Sequence, residues 1–422
     1  VIDRPRALRI ALVSEHASPL AVLGGHDAGG QNVHVAALAG ALAERGHQVE
    51  VYTRREDPHS PPSVALQPGV TVRHVPAGPA RPLPKDDLPA YLPAFEDWLT
   101  DRWHRHPPDV AHAHFWMSGS VALAAGRAVP AGLPVAQTFH ALGAVKRRYQ
   151  GSRDTSPPQR IGTEARIVHQ ADAIIATCGD EVHELTLLGA DPTRVDVVPC
   201  GVDLSRFTPH GPLGGPPRVA RHRVLCLSRL VARKGVETVI TALAAVPDTE
   251  LIIAGGPPAG GIATDDNCRR LLAAAHAHGV TDRVRLLGRI TRDQAPPLLR
   301  SSDVLISVPV YEPFGIVPVE AMACGVPVIV SAVGGMLETV RHGVTGLHVP
   351  PANPRRLAES LLTVLHDPVR RAALGRAAAD HALGYGWEHV AARTEAIYYR
   401  LVMMTARHGR RHVILTGART AG

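Results

Sequence analysis

The chain has 422 residues, long for one hydrophobic core and ample for two domains. Its apolar content of 45% and mean hydropathy near zero are ordinary for a globular protein, and no run reaches the ~18 apolar residues that span a bilayer. Net charge is +7 with pI about 9.5, yet only three lysines contribute, and the arginines are scattered. A dispersed charge of this kind argues against a nucleic-acid stripe. The one local basic cluster, Lys146-Arg147-Arg148, is the candidate for an anion or membrane-surface contact. Five separated cysteines without a C-x-x-C pair point to free thiols in a reducing, cytoplasmic setting. The segment VIDRPRALRIALVS runs straight into a strand and is not read as a signal peptide.

Strand and helix patterns alternate along the chain. Strands are expected at 8–14, 48–53, 70–75, 109–114, 133–139, 172–177 and 195–199, with a helix from Gln31 to Arg45 closed by Gly46. The Pro/Gly-rich stretch TPHGPLGGPP (208–217) reads as a linker. A second series of strands follows at 223–228, 250–255, 283–288, 303–308 and 326–331. Alternation of this type gives parallel sheets covered on both faces, and such sheets bind ligands at the carboxyl ends of their strands. The expectation is an α/β protein with two doubly wound, Rossmann-like domains facing a cleft. They would span 1–207 and 208–386, with a helix at 387–402 crossing back to the first and a tail at 403–422, frayed from Arg407 on.

Five segments carry chemistry. In LGGHDAGGQNVHVAALAGALAERG (23–46), glycines after a strand let backbone approach a phosphate, with a helix N-terminus aimed at it. The G-x-G-x-x-G spacing is absent, and Thr53-Arg54-Arg55 stands where a dinucleotide site would place an acidic residue. In LSRLVARKGVETVI (227–240), Arg229 and Lys234 lie at a strand end and a helix start, suited to a diphosphate. In YEPFGIVPVEAMACGVPVIVS (311–331), Glu312 and Glu320 offer acceptors for hydroxyls, and the amides following Gly315 open a helix that favours an anion. In VAQTFHALGAVKRRYQG (135–151), His140 follows a strand at its carboxyl end. In DVAHAHFWMSG (109–119), His112 and His114 share one strand face, but no third ligand accompanies them, so no metal site is expected. No Asp-x-Asp metal clamp occurs in the sequence.

Glu-x7-Glu with Pro-Phe-Gly after the first Glu, together with R-x4-K, resembles retaining glycosyltransferases of family 4, whose fold is GT-B. The similarity extends to about residue 400 and is greatest to the sucrose-phosphate-synthase-like and mycothiol-pathway branches. It implies transfer of a sugar from a UDP- or GDP-sugar, without a metal or other cofactor, to a small polar acceptor. It also implies residue roles. Arg229 and Lys234 would stabilise the leaving diphosphate, Glu312 would hold the sugar hydroxyls and His140 would face the transferred carbon. Gly29 and Gly30 would approach the diphosphate, and Phe314, Gly315 and Ile316 would supply amides. Glu320 would take the ribose diol, while Gly288, Arg289 and Ile290 would lie at the base. Acceptor contacts would fall on Asn32, Lys85, Lys146 and Arg160. At two further acceptor places, where the inositol-phosphate-using branch has a Tyr and a Thr, this chain has Phe115 and Ala141. The acceptor expected is therefore not inositol 1-phosphate but another sugar phosphate, a cyclitol or aminocyclitol, a natural-product scaffold or a thiol. Alternatives on the same fold are a nucleotide-sugar 2-epimerase, which normally lacks Pro-Phe-Gly, a phosphorylase, which needs a lysine later than Lys234, and a non-catalytic nucleotide-sugar sensor. Partners are thus a donor and a small acceptor, with no nucleic acid; a homodimer is left open.

Overall fold

The computed structural model describes residues 6–21, 29–130 and 132–417, with backbone only for Arg153 and 408–417. Of the glycine loop at 23–30, only Gly29 and Gly30 fall among them. The chain forms two compact units.

Unit 1 takes the described residues up to Val198 and resumes at Glu388. Its strands are β1 (Arg9–Val13), β2 (Gln48–Arg54), β3 (Ser63–Gln67), β4 (Val70–Val75), β5 (Val110–His114), β6 (Val135–Thr138), β7 (Ala173–Ala176) and β8 (Val195–Val197). They form one sheet in the order β3-β4-β2-β1-β5-β6-β7-β8, parallel except for β3. Helices α1 (Gly30–Glu44), α2 (Leu92–Arg105), α3 (Trp116–Ala128), α4 (Gly143–Gln150), α5 (Arg160–Gln170) and α6 (Gly179–Leu187) connect them.

Unit 2 contains β9 (His222–Leu227), α7 (Val236–Leu243), β10 (Thr249–Ala254), α8 (Asp266–Ala277), β11 (Val284–Gly288), α9 (Ala295–Arg300) and β12 (Val304–Ser307). It continues with α10 (Ile316–Ala323), β13 (Val328–Ser331), α11 (Met336–Thr339), β14 (Gly346–Val349), α12 (Pro354–Leu365) and α13 (Pro368–Ala382). The sheet order is β11-β10-β9-β12-β13-β14, all parallel. Successive side chains of a strand point to opposite faces, and the core obeys this. Val224, Leu251, Ile253, Val304, Ile306 and Ile329 enter one apolar cluster. Their strand neighbours Leu225, Ile252, Ala254, Leu305, Val328 and Val330 enter the other. Burial on both faces explains why these strands read as unbroken apolar runs.

Several expectations need correction. β3 and β14 lie where no strand was expected, and β3 is antiparallel, so unit 1 is not purely parallel. The stretch at 208–217 is not a free linker. Arg300 donates to the carbonyls of Thr208 and Pro212, Gly214 N donates to Pro297 O, and Arg223 donates to Pro216 O. The final helix, α14 (Trp387–Gly417), extends beyond the expected end at 402. Between Met403 and Gly417 only Gly409 opposes helix, and one such residue costs about 1 kcal/mol. The helix belongs to unit 1, where Glu395 meets Arg45 at the end of α1 and His47 beside it.

Candidate active site

In doubly wound sheets, ligands bind outside the carboxyl ends of strands, at the point where strand order reverses. In unit 2 that point lies between β9 and β12. The segment carrying Arg229 and Lys234 follows β9, and the segment carrying Glu312 follows β12. The two are pinned together. Val310 N donates to Arg233 O at 2.9 Å, and Arg233 Nη1 donates to Tyr311 O at 3.4 Å. Gly235 has φ +70°, and a Cβ there would lie 2.0 Å from Val308 O, so glycine is required by both conformation and space.

This arrangement brings Lys234 Nζ onto Glu312 Oε2 in direct contact, with Arg233 Nη1 3.9 Å from the same oxygen. Burial raises the Glu312 pKa, but Lys234 and Arg233 outweigh it and hold the group below its ordinary value. Burial likewise draws Lys234 below its ordinary value against the pull of Glu312. Arg229 is exposed and electrostatically felt by both. Beyond them, Gly315 (φ +91°) caps α10, whose first amides belong to Ile316 and Val317. Phe314 is buried in the core cluster under α10, so only its backbone is offered to a ligand. Glu320 lies on the same helix, and burial pushes its pKa up to about 7, with Arg292 opposing and Asp203 reinforcing.

Two glycine pairs complete the carboxyl edge and were not singled out from the sequence. Gly334 and Gly335 back onto the Glu312 segment; Cβ atoms there would lie 2.1 Å from Glu312 O and 2.4 Å from Pro313 O. Gly255 and Gly256 follow β10 at positive φ, and Gly255 N donates to Gly288 O at 2.7 Å. That bond, with Arg289 N on Pro257 O at 2.7 Å, fixes the turn bearing Gly288, Arg289 and Ile290. A G-G pair after a strand was the available signal.

In unit 1 the order reverses between β1 and β5. His114 ends β5, and His140 follows β6 at φ +60°, an uncommon conformation for a side-chain-bearing residue. His114 Nδ1 and His140 Nε2 are 3.0 Å apart. The expectation that His112 and His114 stand without a further imidazole is corrected: His34 of α1 and His140 both converge on His114. His112 has a structural role, with Tyr398 Oη at 2.7 Å and Thr138 Oγ1 at 2.9 Å. Burial lowers all four imidazoles, His34 to about 4 and His112 to about 3, so they are neutral near pH 7. His34 had no sequence signal, because sheet adjacency rather than spacing brings it there.

The acceptor candidates lie in unit 1. Asn32 reaches back to Gly29 N at 3.0 Å and donates to Ser18 O. Phe115 sits at φ +80°, with the Lys85 ammonium 3.7 Å and the Arg160 guanidinium 4.9 Å from its ring centroid. Arg160 also holds Glu164 at 2.8 Å and the Ala141 carbonyl at 2.7 Å. The basic cluster is neutralised locally: Lys146 and Arg147 face Asp154 at 3.0 and 3.7 Å, and Arg148 grips Glu184.

Residues 28–206 match the family described as Glycosyltransferase Family 4, and residues 217–381 match Glycosyl transferases group 1. The chain is 41% identical to a D-inositol 3-phosphate glycosyltransferase of Mycolicibacterium vanbaalenii, covering 97% of this chain and 92% of the relative. It is 39% identical to that of Mycolicibacterium smegmatis, covering 99% of each. Among solved structures, sucrose-phosphate synthase from Thermosynechococcus elongatus superposes with a TM-score of 0.85 at 30% identity, covering 94% of this chain and 100% of that one. Anabaena HepE, solved with UDP and glucose, has a TM-score of 0.70 at 20% identity, covering 92% and 99%, and supports the fold alone. No helix among the described residues is long and apolar enough to cross a membrane. With two Rossmann-like sheets, the GT-B fold and relatives matched over nearly their full length, the chain belongs to glycosyltransferase family 4 and is a retaining enzyme that transfers a sugar from a nucleotide-sugar donor.

Proposed function

We propose that the donor is a UDP- or GDP-sugar whose diphosphate binds among Arg229, Lys234 and the amides beyond Gly315. The observation that carries this is the Lys234–Glu312 pair at the strand-order reversal of unit 2, beside the N-terminus of α10. In this reading the arriving diphosphate draws Lys234 from Glu312, which frees the carboxylate to accept from sugar hydroxyls. Glu320 accepts from the ribose diol, and the turn at Gly288–Ile290 receives the base. Fixed cations and helix amides stabilise charge developing on the departing diphosphate without reorganising. No resident metal or cofactor takes part in the step, and the departing phosphate takes the acceptor's proton. His140 is assigned to the transferred sugar. Glu312→Gln preserves shape and removes the charge; it should lower kcat/KM by about 100-fold or more with an unchanged far-UV spectrum. Near-wild-type transfer would remove Glu312 from the mechanism.

For the acceptor, we infer a small polar molecule other than inositol 1-phosphate. Phe115 and Ala141 offer no hydroxyl, and both Lys85 and Arg160 lie against the Phe115 ring. A second reading, an inositol phosphate acceptor, is favoured by the names of the relatives. Steady-state transfer to D-inositol 3-phosphate and inositol 1-phosphate separates the two. Turnover at least 100-fold below that with a sugar phosphate or aminocyclitol supports the first, whereas efficient transfer to either inositol phosphate sinks it.

A further inference from the structure

Three imidazoles from three different elements converge in unit 1. His34 comes from α1, His114 from the end of β5 and His140 from the turn after β6. One ring nitrogen of each lies within 4.8 Å of those of the other two. The His34 ring centroid is 5.6 Å from that of His114 and 5.0 Å from that of His140. His114 Nε2 is buried and makes no hydrogen bond, in a residue that is 0% exposed. The fourth imidazole, His112, is committed elsewhere, since Tyr398 and Thr138 occupy both its nitrogens.

Zinc binds imidazole nitrogen at about 2.0–2.1 Å, so ligand nitrogens of a tetrahedral site stand about 3.4 Å apart. Closing the triad to that spacing asks for side-chain movements of about 1 Å. An all-nitrogen donor set suits zinc, copper or nickel, whereas magnesium and calcium need oxygen ligands. Three histidines with a fourth, open position is also a common pattern for a zinc ion that retains a water or another exchangeable ligand.

We propose that His34, His114 and His140 form a binding site for one divalent late first-row transition metal, zinc above all. Metal binding gives each ring one nitrogen–metal bond. The site is inhibitory rather than catalytic, because an imidazole bound to metal is withdrawn from the sugar. That second statement rests on the role assigned to His140 above; the binding itself does not.

Cobalt chloride reads the geometry, because tetrahedral Co²⁺ absorbs visible light far more strongly than the hydrated ion. Metal-free protein titrated with Co²⁺ should bind one ion per chain with the intense tetrahedral band, and ZnCl₂ should displace it. His34→Phe and His34→Gln should each lose the band while keeping the wild-type far-UV spectrum and the wild-type thermal shift with UDP. Absence of the band in wild type, or its survival in a folded His34 variant, overturns the metal site and leaves the donor reading intact. In a transfer assay, Zn²⁺ should inhibit wild type, EDTA should restore it, and His34→Phe should be insensitive. Zinc that occupies the site without slowing transfer would overturn the inhibitory role and the assignment of His140 to the sugar together.

Discussion

Glu320 shows how one half-buried carboxyl can report on ligand and stability at once. Its folded pKa of about 7 lies above the ordinary 4.5. A group raised in this way favours the folded protein fully below pH 4.5, and that contribution is lost as pH rises towards 7. The shift corresponds to about 3 kcal/mol between those limits. Denaturant melts at pH 4.5 and 8 should therefore show wild type losing up to that amount relative to Glu320→Gln; parallel pH profiles would contradict the assignment. In the proposed donor mode Glu320 accepts from the ribose hydroxyls, and the ionised carboxylate accepts more strongly than the protonated one, so wild-type affinity for UDP should rise from pH 6 to 8 more than that of the variant. Gly235 is the steric counterpart. Gly235→Ala forces a Cβ onto Val308 O at a positive φ, and it should cost about 2 kcal/mol or more by chemical denaturation, as strained-backbone substitutions do. It should also lower kcat by displacing Lys234; a wild-type melt with wild-type kcat would show that the loop tolerates the movement. The segments carrying Arg229, Lys234 and Glu312 were legible in the sequence because each lies in the loop after a recognisable strand, and Glu320 because it shares a local motif with Glu312. His34 was not, since no spacing links it to His114 and His140.

Elements were readable in proportion to their burial on two faces. β9, β10 and β12 are apolar runs because helices cover both sides, and their positions follow from the sequence to within a residue or two. β3 escaped because it is a partly exposed edge strand bounded by Ser-Pro-Pro and Pro-Gly, which read as turn. β14 is four residues long and begins at Gly346, too short for a period to show. The length of α14 was missed for another reason: the amphipathic part that packs in unit 1 ends near Leu401, and beyond it only local propensity carries the helix. Packing of α14 is anchored by polar contacts absent from any hydropathy pattern. Tyr398 Oη meets His112 Nδ1, Tyr399 donates to Arg6 O, and Arg400 pairs with Asp196. Tyr398 and His112 are both buried, so Tyr398→Phe leaves a buried ring nitrogen without its partner. It should destabilise the protein by about 1–3 kcal/mol, read from urea denaturation. No change would mean that a water replaces the hydroxyl.

At the scale of the whole chain, each unit has an independent reason for its ligand edge. In both sheets, strand order reverses beside the first strand, and the loops leaving that point carry the candidate residues. The two edges differ in character. Unit 2 presents cations, carboxylates and helix amides, as a nucleotide diphosphate requires, while unit 1 presents neutral imidazoles and an aromatic ring flanked by Lys85 and Arg160. The net charge of +7 adds little to this division, since even the Lys146-Arg147-Arg148 cluster is met by Asp154 and Glu184. Family membership was readable because the R-x4-K and Glu-x7-Glu segments are local in sequence. The packing of Lys85 and Arg160 against the Phe115 ring was not, because it joins residues far apart in sequence.

The central claim is that a nucleotide diphosphate binds at the strand-order reversal of unit 2. A crystal structure of the protein with UDP or GDP, grown in EDTA, tests it most directly. The phosphates should lie within hydrogen-bonding distance of Arg229, Lys234 and the amides of Ile316 and Val317, with the ribose on Glu320. A nucleotide bound elsewhere, or one that fails to bind until a metal is restored, would contradict it.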